Sequence, residues 1–152
     1  MKQLLLAFLL CSFSLNTYCQ SENPNYNKSL ADSLGGDDYG MKAYIFVILK
    51  SGTNKTEDKK ALDHIFRGHM ENIGRLAKEG KLVVAGPLGK NEKTYRGIFI
   101  LNVKTVEEAN ALLETDLAIR EKVLEAEVFT WYGSAALPAY LPFHEKIEKK
   151  KM

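Results

Sequence analysis

Apolar residues recur along this chain with two periods, and the switches between them predict the elements of a fold. From Thr56 to Gly80 the run TEDKKALDHIFRGHMENIGRLAKEG gathers Leu62, Ile65, Phe66, Ile73 and Leu76 on one face at about 100° per residue, as an amphipathic helix does. Ahead of it, Met41 to Lys50 alternates: Ala43, Ile45, Val47 and Leu49 point one way, Tyr44, Phe46 and Ile48 the other. That is a strand, and both of its faces are apolar. Lys81 to Ala85 predicts a second, short strand, Gly86-Pro87 through Lys93 a turn, and Thr94 to Val103 a third strand. Thr105 reads as a helix N-cap, with Glu108 completing a capping box; Val106, Ala109, Leu112 and Leu113 then follow at helical spacing to about Thr115. Val123 to Tyr132 predicts a fourth strand.

The order is β-α-β-β-α-β, the split βαβ pattern. It predicts an α+β, ferredoxin-like fold, an antiparallel four-stranded sheet with two helices on one face. Two helices cover only that face. The second apolar face of the first strand therefore needs another cover, and a twofold homodimer with facing sheets supplies it economically. The tail from Gly133, with Pro138 and Pro142, shows no clear element; Leu137, Tyr140, Leu141 and Phe143 are placed to pack across a neighbour.

One residue breaks the helical pattern. His69 falls near the centre of the apolar stripe, whereas His64 lies on the opposite side with Gly68, Glu71, Arg75 and Lys78. A titratable group aimed into a core costs free energy unless a partner satisfies it. A lone histidine in that position is ordinarily a satisfied core residue; it becomes a functional candidate only with a partner and a cavity.

Composition narrows the choices. The 152 residues are 45% hydrophobic and 26% charged, with 21 basic and 19 acidic side chains and a formal charge of +2, as expected of one globular domain. Such a balance gives no field for nucleic acid. The basic cluster Lys146, Lys149, Lys150 and Lys151 reads as a solvated terminus. Residues 1–19 carry Lys2, an apolar run from Leu4 to Leu10 with Phe13 and Leu15, and Thr17-Tyr18-Cys19 as a small-x-small step before Gln20. That is the form of a secretory signal peptide, too short for a membrane span, and it implies a periplasmic or secreted protein with no membrane association once removed. Lipidation at Cys19 is disfavoured by the bulky Tyr18 before it.

Both cysteines, Cys11 and Cys19, lie in this segment, so the mature chain has no thiol for a disulfide, a nucleophile or a thiolate metal site. Residues 20–40 are rich in Ser, Asn, Asp and Gly and read as a flexible linker; Asp32, Asp37 and Asp38 lack the spacing of a calcium loop. The domain then runs over 41–133, with 134–152 as a C-terminal extension. The three histidines have no metal-ligand spacing, and Gly86-Pro87-Leu88-Gly89 lacks what a phosphate loop needs, so no metal or cofactor is expected.

The segment His69…Glu79-Gly80-Lys81-Leu82-Val83-Val84-Ala85-Gly86-Pro87, followed by a strand, Thr105-Val106-Glu107-Glu108-Ala109 and then Thr115-Asp116, resembles the YCII-related (YciI-like) family over about residues 42–133. The resemblance implies a dimeric α+β barrel and a His–Asp pair proposed as an active site, carried here by His69 and Asp116. Where the family has a D-P type step, this chain has Leu117 after the acid; export is a second departure.

An imidazole can take and return a proton near neutrality, and a carboxylate on its other nitrogen fixes the tautomer and stabilises the imidazolium. With no nucleophile in view, such a pair suits proton abstraction, isomerisation or elimination on a small carbonyl or hydroxyaromatic compound. Ser51, Tyr95, Arg96 and Tyr44 are candidates to line the pocket. Two other readings stand beside this one: a module that holds a small ligand or haem without turnover, and a scaffold in which His69 is only a buried polar staple.

Overall fold

A strand apolar on both faces belongs inside a sheet, and there the first one lies. The computed structural model describes residues 23–150; the expected signal segment, residues 1–19, lies outside the described residues. In chain order the elements are α1 (Lys28–Leu34), β1 (Met41–Ser51), α2 (Lys59–Lys78), β2 (Leu82–Pro87), β3 (Tyr95–Leu101), α3 (Val106–Leu113), α4 (Leu117–Arg120), β4 (Leu124–Ser134) and α5 (Leu141–Ile147), the last entered through a 3-10 turn at Leu137–Tyr140. The sheet order is β2-β3-β1-β4 and every neighbouring pair is antiparallel. The expected βαββαβ, ferredoxin-like α+β arrangement is therefore the observed one. No helix among the described residues is long and apolar enough to cross a membrane.

The core lies between the sheet and its helices. Ile45, Val47 and Leu49 of β1 meet Phe99 and Leu101 of β3, Leu124 of β4, Ile65 and Leu76 of α2, and Ala109 and Leu113 of α3. Capping fixes where the helices begin. Asp58 accepts from the Lys60 and Ala61 amides to start α2, and Thr105 with Glu108 forms the expected capping box on α3.

The other face of the sheet is largely uncovered. Phe46 lies between Ile100 and Phe129 in register, and Ile48 opposite Ile98. Phe129 is 47% exposed and Trp131 37%. Among the described residues, it is the Tyr44 end of this face that is closed: its ring lies 5.6 Å from that of Trp131, its hydroxyl donates to the Ser134 carbonyl at 2.9 Å, and Tyr140 of the tail donates to the Val83 carbonyl.

Three expectations are corrected. Residues 20–40 are not uniformly a flexible linker, since Asn27 caps α1 and Lys28 pairs with Asp32 one turn on. The tail is not without structure: Pro138 and Pro142 sit in the first turns of the 3-10 segment and of α5, where a missing amide costs no hydrogen bond. Gly86 and Pro87 belong to β2 rather than to the turn, because β2 is an edge strand that tolerates proline.

The segment before β1 is tied to β4 by the Tyr132 hydroxyl, which donates to Asp37. That bond, with amides from Met41 and Tyr39, holds the Asp37 carboxyl below its ordinary 3.8, and it pushes the Tyr132 phenol up to about 12. A depressed carboxyl contributes stability above its unfolded value and loses it as pH falls through the folded one. A raised phenol contributes stability below its unfolded value of 10.0 and loses it as pH rises towards about 12. Urea titrations of wild type and Tyr132→Phe should differ near neutrality and converge in acid below 3.8; a difference that persists undiminished in acid would contradict the tie.

A second constraint is steric. A Cβ on Gly52 would lie 2.1 Å from the Lys122 carbonyl oxygen, so the end of β1 and the end of α4 touch backbone to backbone. Gly52→Ala should cost about 1–3 kcal/mol of unfolding free energy by denaturant titration. Stability equal to wild type would show that the two segments can part freely.

Candidate functional site

The site is made where α2 crosses the start of α4. Ile65, His69, Asn72 and Leu76 form the buried row of α2. Phe66, expected in that row, instead stands at its rim, 36% exposed, with its ring edge-on to His69 at 6.2 Å. On its other side the imidazole stacks over Phe99 of β3, with ring centroids 6.0 Å apart and planes inclined by 24°. His69 thus sits on the helical side of the sheet, and only 8% of the residue is exposed.

Asp116 is the N-cap of α4, and the local backbone accounts for its burial. The chain leaves α3 at Glu114, turns, and starts α4 at Leu117, with Oδ1 of Asp116 accepting from the Ala118 amide at 2.9 Å. Leu117, the residue after the acid, packs on α2 at Gly68. A Cβ there would lie 2.8 Å from Leu117 Cδ2 and 3.1 Å from its Cβ. The residue before His69 and the residue after Asp116 therefore meet, which draws the two side chains together.

Oδ2 of Asp116 lies 2.8 Å from Nδ1 of His69. The carboxylate is wholly buried, and Asn72 Nδ2 donates to the same oxygen at 3.3 Å. His69, Asn72 and Asp116 are the buried polar side chains of the described residues, and they bond to one another. Sequence reasoning missed Asn72. Its signal was present all the same: it is a second polar residue in the apolar stripe, one turn from the first.

The remaining nitrogen, Nε2, is where chemistry would occur. No buried side-chain nitrogen or oxygen among the described residues lacks a hydrogen-bond partner, and Nε2 has no partner among them. Nε2 therefore meets solvent through the small opening left at the imidazole. The arrangement presents one basic nitrogen outward and anchors the other on a buried acid.

Neither of two surface grooves reaches the pair. One, of about 540 Å³, runs along Lys50, Leu113, Ile119, Leu124 and Glu125. The other, of about 500 Å³, is lined by Ser51, Leu88, Lys90, Tyr95 and Arg96. Three of the residues proposed to line a pocket thus share a groove with one another and not with His69. Tyr44, the fourth, is wholly buried on the opposite face of the sheet beside Trp131. The other two histidines, His64 and His144, are exposed.

No family model matches the chain, and no curated protein matches it in sequence. Among solved structures it is similar to 5-chloro-2-hydroxyhydroquinone dehydrochlorinase from Burkholderia phenoliruptrix, determined in complex with 2,5-dihydroxybenzoquinone. The identity is 16%, the match covers 57% of this chain and 92% of that one, and the TM-score is 0.42. A likeness that slight carries no inference about chemistry.

Proposed function

We propose that this chain is an exported, homodimeric, YciI-like protein in which His69 acts as general base and Asp116 orients it. Export rests on the signal-like segment 1–19. The reaction is a proton transfer leading to isomerisation or elimination on a small carbonyl or hydroxyaromatic compound. The observation that carries this reading is the 2.8 Å contact between His69 Nδ1 and a wholly buried carboxylate, with the other imidazole nitrogen turned to the opening. The motif resemblance, which includes both residues, supports it.

A positioned general base contributes about 10²–10⁴-fold to such a step. With a panel of small ketones and hydroxyaromatics in heavy water, the protein should catalyse exchange of the proton next to the activated carbon. His69→Ala should lower that rate by about 10²-fold or more while the protein stays folded. Exchange that is unchanged in the variant would overturn the enzymatic reading.

The alternative is a non-catalytic module, ligand-binding or purely structural, and one observation favours it: the two grooves lie away from His69. It predicts either binding in a groove that is indifferent to His69→Ala or a variant that unfolds.

The proposed second copy covers the open face of the sheet, where Phe46, Ile48, Ile98, Ile100 and Phe129 are gathered. Light scattering should give twice the chain mass for wild type and a monomer for Phe129→Asp, whose side chain is exposed enough for the single chain to tolerate the change. A wild-type monomer would refute the dimer without touching the His69–Asp116 pair.

A further inference from the structure

Asn72 does more than fill space beside Asp116, because its own orientation is dictated from the outside. Arg75, one turn further along α2, sends Nη2 to Asn72 Oδ1 at 2.8 Å and to Thr115 Oγ1 at 2.9 Å, while Nη1 pairs with Glu79 at 2.9 Å. Thr115 Oγ1 also lies 3.0 Å from Asn72 Oδ1 and 2.6 Å from the Leu112 carbonyl. A guanidinium has donors and no acceptor. The amide oxygen of Asn72 must therefore face Arg75, and its NH₂ must face Asp116; the usual ambiguity of an asparagine amide is resolved by its partners.

The polarity then propagates inward. With the Asn72 NH₂ donating to Oδ2 and the Ala118 amide donating to Oδ1, both carboxylate oxygens already accept hydrogen bonds. His69 Nδ1, 2.8 Å from Oδ2, meets an acceptor and has to be the donor. A neutral imidazole carries one N–H, so placing it on Nδ1 leaves the lone pair on Nε2, the nitrogen at the opening.

We propose that Arg75, acting through Asn72, is a positioning residue that holds Oδ2 of Asp116 against Nδ1 of His69, so that the acceptor-only carboxylate keeps the N–H on that nitrogen and leaves the outward one basic. Its use in catalysis rests on the function proposed above, but the tautomer is a property of the resting protein and needs no substrate to be read. A failure here would leave the exchange experiment untouched, and the reverse also holds.

The test is nitrogen-15 NMR of the full chain labelled at histidine, above the pH at which the imidazoles lose their charge. His64 and His144 are exposed and serve as internal comparisons. In wild type, His69 should be protonated at Nδ1 with Nε2 bare, and its Nδ1 proton should give a sharp resonance protected from solvent. Arg75→Met removes the donor from a side chain that is 44% exposed, so the fold should survive. In that variant the resonance should broaden and the tautomer should become mixed. Asn72→Leu should abolish the resonance if the protein folds. A wild-type His69 protonated at Nε2 would overturn the proposal, and so would an Arg75→Met protein whose tautomer and Nδ1 resonance match wild type.

Discussion

A carboxylate taken out of water must have its charge met by donors, and Asp116 is the side chain for which this fold makes that provision. It is wholly buried, and leaving such a charge uncompensated costs several kcal/mol. Three groups meet it: the His69 imidazole and the Asn72 amide from α2, and the Ala118 amide at the start of α4. These donors lie on segments far apart in sequence, so the carboxylate is satisfied only when α4 is seated on α2. Gly68 and Leu117 make that seating close. The buried acid thus acts as a condition on the packing of two helices as well as a partner for one histidine.

Hydrophobic period made most of the architecture readable. The apolar alternation of β1 and the single stripe of α2 belong to elements that bury a face, and burial is what imposes a period. Elements that bury little leave no such trace. α1 and α5 contain no buried residue; they are held by an asparagine cap, an i,i+4 ion pair and prolines at tolerated positions, which the same stretch of sequence can also offer in a loop. The site divides in the same way. His69 was conspicuous because a polar group interrupts an apolar row, and Asp116 was named through its motif. Asn72 interrupts the same apolar row and was overlooked there, whereas Arg75 falls on the polar side of α2 and is an ordinary surface residue until the fold brings Thr115 against it.

The structure also separates two features that the sequence merged. The apolar second face of β1 pointed to a second chain, and the histidine in the helical stripe to a pocket or a buried partner. Yet His69 lies on the helical side of the sheet, over Phe99, while Phe46, Ile48, Ile98 and Ile100 are turned the other way. The two features meet only through β3, whose Phe99 supports the imidazole and whose flanking isoleucines belong to the open face.

This geometry limits what a second copy could contribute. A chain packed against the open face would steady β3, and through Phe99 the floor beneath His69, without placing its sheet residues near Nε2. At the rim of α2, Phe66 stands perpendicular to the imidazole, and Met70 is equally exposed. Selectivity at the proposed site would then be set on the helical side of the sheet, since the face on which a second copy would sit points away from it.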